Sequence, residues 1–249
     1  MARCGEEGLM IAAIHQLHYF PWLGYMDKMA RSDVFLLLDR VQLNDNSYMF
    51  RHQLLDKNGE RKYITLPFHK KGYMFRAYNE LELNGDVDWQ TRQKNFICDN
   101  YRRHPFFEEI WEEIEPLFSR HFSFLWEVTD ESVHIMRRLL DVKTPLVYES
   151  SLDHVEGRKN EFLVGLLKQL DVNCYLSGSG AKKYMDTGIF EKAGIRVEFQ
   201  QFALPVYPQK NSQEFVGGLS GLDILFNCGV KGTRRIFWDN LSSKQENET

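Results

Sequence analysis

Residues 10–39 constrain the fold of this chain more than any other stretch. Residues 10–15 (MIAAIH) and 34–39 (VFLLLD) are apolar runs of strand length. Between them, Pro21 reads as a first helical position, where its missing N–H costs nothing. Residues 21–31 then bring Trp22, Met26 and Met29 near one helix face. Strand, helix and buried strand within about 30 residues make a βαβ unit, which implies a parallel pair and a right-handed crossover. The expected class is α/β, with a Rossmann-like, mostly parallel sheet.

The remainder adds two departures from that plan. Residues 50–55 and 61–66, joined by Lys57-Asn58-Gly59, predict a β-hairpin. A further strand is expected over 78–83. Three helices follow, over 88–103, 105–118 and 122–140, with Ile110, Ile114, Leu117 and Phe118 at mixed three- and four-residue spacing. Residues 86–142 therefore read as a helical layer or insertion. Alternation then returns: a short strand at Val147, a helix over 159–170, strands over 173–177 and 195–199, and short helices over 180–185 and 189–193. Ser220 caps a last helix that Gly229 ends. A single domain over 10–240 and a disordered polar tail over 241–249 are expected.

Composition narrows the function classes. The chain has 249 residues, 43% of them hydrophobic, and a net charge of -4. At this length roughly three quarters of the extended surface can be buried without a disulfide or metal. A charge of that sign leaves no whole-surface electrostatic footprint for nucleic acid, while a local basic pocket for a phosphate stays open. Cys4, Cys98, Cys174 and Cys228 form no C-x-x-C pair, so they read as reduced core or surface thiols. No apolar run reaches membrane-span length and no basic leader precedes one, so no membrane span is expected and the cytoplasm is the default location. His15-x-x-His18 and the single E-x-x-H of Glu131 and His134 are too sparse to name a metal, and none is expected.

Three segments could carry chemistry. The first, IHQLHYFPWLGY over 14–25, falls where the first strand gives way to the first helix. Ligands of open α/β sheets bind beyond the carboxyl ends of strands, and helix N-termini attract anions. His15 and His18 are the catalytic candidates, since histidine titrates near operating pH. Gln16, Tyr19, Trp22 and Tyr25 are candidates for substrate contact; the bland alternative is backbone satisfaction and core packing. The second segment, DRVQLNDNSYMFR over 39–51, offers Asp39, Gln42, Asn46 and Arg51, the last able to clamp a carboxylate or phosphate. The alternative there is a polar surface loop with Asx turns. The third, YLSGSGAKKYMD over 175–186, places Ser177, Gly178, Ser179, Gly180 and Lys182 as phosphate-binding candidates. Its spacing matches neither the phosphate loop nor the dinucleotide fingerprint, and an ordinary strand–helix turn is the alternative.

Taken with GIRVEFQQFALPVYPQ and GLDILFNCG, these segments resemble the WbqC-like family over about residues 11–226. Leu17 departs from the family, which more usually has proline after the Gln. The resemblance implies a role in bacterial surface-polysaccharide, or O-antigen lipopolysaccharide, biosynthesis. The expectation is a transferase acting on a nucleotide-sugar or amino-sugar small molecule by acyl or aminoacyl transfer. A nucleotide or an acyl carrier are the cofactor classes left open. A weaker resemblance is to nucleotidyltransferases with an H-x-G-H signature. The matching positions are Trp22-Leu23-Gly24-Tyr25, where the glycine survives and both charge-stabilising histidines are replaced. A non-catalytic sugar-binding or assembly protein is the third class.

Overall fold

The structure, a computed structural model, describes residues 8–44 and 47–242. β1 (Ile11–Gln16), α1 (Leu23–Ala30) and β2 (Val34–Leu38) form the expected βαβ unit. The chain then leaves the sheet for the hairpin β3 (Arg51–Leu55) and β4 (Arg61–Thr65), followed by α2 (Trp89–Tyr101), α3 (Phe107–Ile114) and α4 (Leu125–Leu140). It returns at β5 (Leu146–Tyr148) and continues through α5 (Asn160–Gln169), β6 (Cys174–Ser177), α6 (Thr187–Lys192), β7 (Arg196–Phe199) and α7 (Gly221–Ser242). The five-stranded sheet is wholly parallel, in the order β5-β2-β1-β6-β7. The order grows outward from β1 through β2 to β5, then restarts on the other side of β1 with β6. The gap between the carboxyl ends of β1 and β6 is therefore the topological switch point.

Period-two alternation decides which residues face which layer. Ala13, Phe35 and Leu37 pack into the larger core with α1, α4, α7 and the hairpin. Ala12, Ile14, Leu36 and Leu38 face the opposite way, against Leu166 and Leu167 of α5 and Phe190 of α6. His15 shares parity with Ala13, so it emerges on the α1 side. The hairpin is held over that side by a buried carboxylate. Asp223 of α7 accepts from Tyr101 Oη at 2.7 Å, Tyr207 Oη at 2.9 Å and Gln209 Nε2 at 3.0 Å. The Leu55 N–H in turn donates to Tyr101 Oη at 3.0 Å. A carboxylate this deep is tolerable because three donors replace its water.

Several boundaries differ from expectation, each for a local reason. Residues 78–80 form a 3-10 turn rather than part of a strand. The buried Tyr78 hydroxyl is shared with Thr129 and the Met49 carbonyl, and Glu80 caps the Ala77 N–H. Only Glu82 and Leu83 keep isolated antiparallel bridges. The helix expected over 105–118 breaks after Ile114 into a 3-10 turn, where Pro116 has no N–H to donate. Pro21 lies one residue before Trp22, the N-cap of α1, rather than inside the helix. Gly229, at φ 69° and ψ 174°, ends one helical segment as expected, but a second resumes at once and runs to Ser242. Residues 241 and 242 are thus helical, and the rest of the expected tail lies outside the described residues. Among the described residues, no helix is long and apolar enough to cross a membrane.

Candidate functional site

The loop leaving β1 is pinned on both sides. Phe20 N–H donates to Ser132 Oγ of α4 at 2.9 Å, and Ser220 Oγ, just before α7, donates to the Phe20 carbonyl at 2.9 Å. Tyr19 N–H donates to the Tyr48 carbonyl at 2.9 Å. These contacts hold Phe20 at a positive φ of 41°. Such a conformation costs a bulky residue on the order of 1–3 kcal/mol and persists only where its surroundings dictate it.

Against this loop lies a cavity of about 380 Å³, walled by His18, Tyr19, Phe20 and Trp22 from the loop, by Tyr48, His52 and Gln53 from the hairpin side, and by Gly218 and Ser220. The volume is at the small end of ligand pockets, roughly 300–1,000 Å³. Among the described residues, no lysine, arginine, aspartate or glutamate lines it. Its polarity comes from neutral groups. His18 is 8% exposed and its Nδ1 has no partner; His52 is 2% exposed and neither ring nitrogen has one. Burial pushes both imidazoles down to about 3. Unpartnered buried polar atoms are rare and costly in folded proteins, and here two of the residues around one cavity carry them.

Behind His18 the rings form a cluster. His18 stacks on Tyr25 with centroids 5.0 Å apart, and His15 meets their edges at 4.5 and 4.8 Å. His15 Nδ1–H donates to the Gln16 carbonyl at 3.1 Å, which leaves Nε2 as the lone-pair nitrogen. Tyr25 Oη is buried without a partner. One turn along α1 from Tyr25, Lys28 is 3% exposed, and its Nζ donates to the Ile14 carbonyl at 2.9 Å. Burial pulls this amine down to about 7. Burial and then the Lys28 charge depress both His15 and His18. The expectation that one of these histidines titrates near neutrality therefore fails, because desolvation removes the charged form; the group with a value near neutrality is Lys28.

The other predicted residues are spread more widely. Tyr19 shows the cavity its ring only, since its hydroxyl donates to Gln93 Oε1 at 2.6 Å. Gln16 is half-buried at the end of β1. The Asp39 carboxylate is buried and accepts from Ser150 N–H at 2.9 Å, so it fastens the end of β2 to the turn after β5. Gln42 is exposed and away from the cavity wall, and Asn46 lies outside the described residues. Arg51 spreads its guanidinium over Tyr63, 4.3 Å from the ring centroid. Ser177 is buried, while Ser179, Gly180 and Lys182 sit on an exposed five-residue 3-10 turn that does not line the cavity. A Cβ built at Gly178 or Gly180 would meet nothing within 4 Å, so no close backbone approach within the chain requires those glycines.

Sequence reasoning missed His52, Lys28 and Tyr48. His52 has a legible signal, a histidine on the Leu54 face of a hairpin strand; Lys28 has one too, three residues from Tyr25 on an apolar helix. It also missed a trio at the end of β5. There Tyr148 Oη donates to Asp130 Oδ1 at 2.6 Å and His134 Nε2 approaches Tyr148 Oη at 3.2 Å. No spacing rule links residues on α4 to the end of a strand that follows it.

The comparisons with known proteins agree over the same span. The model of the WbqC-like protein family matches residues 16–235. The chain belongs to the WbqC-like protein family. It is also 28% identical over 224 residues to a Mycobacterium tuberculosis (strain ATCC 25618 / H37Rv) protein named Uncharacterized protein Rv1507c, covering 88% of this chain and 94% of that one. No solved structure matches the chain.

In this WbqC-like protein, Gly24 has a specific task in the wall. A Cβ there would lie 2.3 Å from Trp22 Cη2, and the indole is itself held edge-on by Phe202 at 5.3 Å. Gly24→Ala is expected to push the indole into the cavity and cost about 1–3 kcal/mol in urea denaturation. Unchanged stability would show that Trp22 can leave its place freely.

Proposed function

We propose that this WbqC-like protein is a cytoplasmic transferase of bacterial surface-polysaccharide (O-antigen) biosynthesis, which modifies a nucleotide-linked or amino sugar by acyl or aminoacyl transfer. The observation that carries the reading is the cavity at the end of β1, walled by the imidazoles of His18 and His52 among the rings of Tyr19, Phe20, Trp22 and Tyr48. Aromatic faces cover the apolar faces of a sugar ring, and neutral imidazoles give and accept hydrogen bonds to its hydroxyls or amine. His15 or His18 removes the proton from the attacking amine or hydroxyl. The nucleophile then bonds to the acyl carbon, and the carrier leaves with the bonding pair and a proton. A neutral imidazole has its lone pair free at the start of the reaction, but His18, held down at about 3, is a weak base on its own, so this step requires that bound ligand raise its value toward the operating pH. Tyr19 and Trp22 shape the acceptor pocket, Tyr25 supports His18 from behind, and Arg51, beside the wall residue Gln53 on the hairpin, supplies an anionic contact.

One observation favours a second reading, nucleotidyl transfer: the cavity opens at the N-terminus of α1, beside the switch point, with Pro21 and Trp22 in its wall. Against it, among the described lining residues none is cationic, which leaves a triphosphate only guanidinium groups outside the lining, on the hairpin. Mass-spectrometric assay of amino sugars with acyl and aminoacyl carriers is expected to give an N- or O-acylated sugar. His18→Ala is expected to lower the rate about 10²–10⁴-fold. Pyrophosphate release from a triphosphate with a sugar phosphate would move the assignment to the second reading. Tight sugar binding that survives loss of both His15 and His18, without turnover, would make this a binding protein instead.

A further inference from the structure

The cavity is neutral, but its mouth is not. Arg51 and Tyr63 lie on the same face of the hairpin as Gln53, which is itself part of the cavity wall. The Arg51 guanidinium stacks on Tyr63 at 4.3 Å and lies 5.7 Å from Phe50, and its Nε is buried with no hydrogen-bond partner. Tyr63 is hydrogen-bonded to Tyr48, which lines the cavity and feels the charge of both Arg51 and Arg61. Arg61, exposed on the paired strand, reaches Gln53 Oε1 at 3.4 Å and the Gly217 carbonyl at 2.8 Å, next to the lining residue Gly218. Neither arginine lines the cavity, and the ladder sets Arg51 opposite Thr65 and Arg61 opposite Leu55. Each reaches a lining residue, Arg51 by way of Tyr63 and Tyr48 and Arg61 directly at Gln53. Among the described residues no carboxylate is paired with either, whereas neighbouring Lys62 is paired with Asp56 and Glu60.

Stacking holds a guanidinium plane in place at little entropic cost and leaves its edge free for a planar or tetrahedral oxyanion. Resting on the sugar-cavity reading above, we infer that Arg51 and Arg61 hold an anionic oxygen group, a phosphate or a carboxylate, of a ligand whose neutral ring enters the cavity. The substrate class narrows accordingly to acidic or phosphate-linked sugars. A free ammonium at the mouth would face two uncompensated positive charges. The exposed 3-10 turn over 179–183 has no part in this clamp.

Isothermal titration of the whole chain with a neutral hexose, the matching hexose 1-phosphate and the matching uronic acid tests the clamp. In the wild type one of the two anionic sugars is expected to bind about 10- to 100-fold tighter than the neutral one, the scale of a charge-assisted hydrogen bond or two. Which one gains separates phosphate from carboxylate. In the Arg51→Gln/Arg61→Gln double variant that preference is expected to vanish, the anionic sugars losing far more affinity than the neutral hexose. Arg51→Lys is expected to keep only part of the preference, because a point charge lacks the fork. Arg61→Gln alone, at an exposed position, keeps the test open should the double variant unfold. A preference that survives in the variants, or its absence in a wild type that binds the neutral hexose, overturns the clamp but leaves the sugar reading standing. Failure of the wild type to bind any of the three overturns both.

Discussion

Lys28→Met is expected to stabilise the folded chain by about 3–5 kcal/mol below pH 7 and by steadily less as the pH rises toward 10.5. The ammonium is 3% exposed, donates to a single carbonyl and, among the described residues, has no carboxylate partner. Burial therefore lowers its value from 10.5 to about 7. Between those two values the unfolded chain holds a proton that the folded chain has released. Wild-type stability accordingly rises through that window, by about 1.4 kcal/mol per pH unit from this group. Below pH 7 both forms are protonated and the full penalty of a buried charge is present. Methionine fills similar space without charge, at the loss of one hydrogen bond. Urea denaturation of both proteins at pH 6, 8 and 10 reads the difference directly. Equal stability at pH 6 would mean that the amine is hydrated or paired, and that the cluster behind the cavity is not dry. The same substitution removes a charge that depresses His15 and His18, so their imidazole resonances are expected to titrate at higher pH in the variant.

His52→Leu is expected to raise stability and destroy the site at once. Both ring nitrogens of His52 are buried without partners, between Tyr19 at 4.9 Å and Phe20 at 5.4 Å. An unsatisfied buried polar group costs about 1–3 kcal/mol, and an apolar replacement of similar size recovers that cost. For a chain of this length each kcal/mol raises the melting temperature by about 2–4 °C. The histidine is then retained against stability, as binding groups often are. Affinity for whichever sugar the wild type binds is expected to fall at least about tenfold, since the ring loses a hydrogen-bond partner in a dry wall. A destabilised variant that still binds would make His52 a core residue. Calorimetry and titration on one preparation separate the two.

The sheet was legible before the structure because its strands are buried on both faces. Residues 34–38 are unbroken apolar sequence, and a parallel strand between two helical layers has no polar side to blur the signal. The hairpin was equally legible from Lys57-Asn58-Gly59, a purely local turn signal. The turn at Tyr78 was not, because its shape answers to a hydroxyl shared with Thr129 on α4, 51 residues further on. The cavity was half legible. His18, Tyr19 and Trp22 came from the polar crowding after the first strand, whereas His52 and Tyr48 enter from a hairpin whose placement depends on Tyr101 and Asp223.

By itself, then, the sequence determined a βαβ start, a parallel sheet, an antiparallel hairpin, family membership and the residues that form one wall of the cavity. Those features rest on periodicity and on neighbours in the chain. Tertiary structure alone decided that the hairpin closes the cavity, that Asp39 is a fastening and that the glycine turn over 177–180 stands apart. It also decided that His15 and His18 are neutral while Lys28 carries the value near 7. Each of these depends on desolvation or on contacts between distant segments, and neither is written in the spacing of residues along a chain.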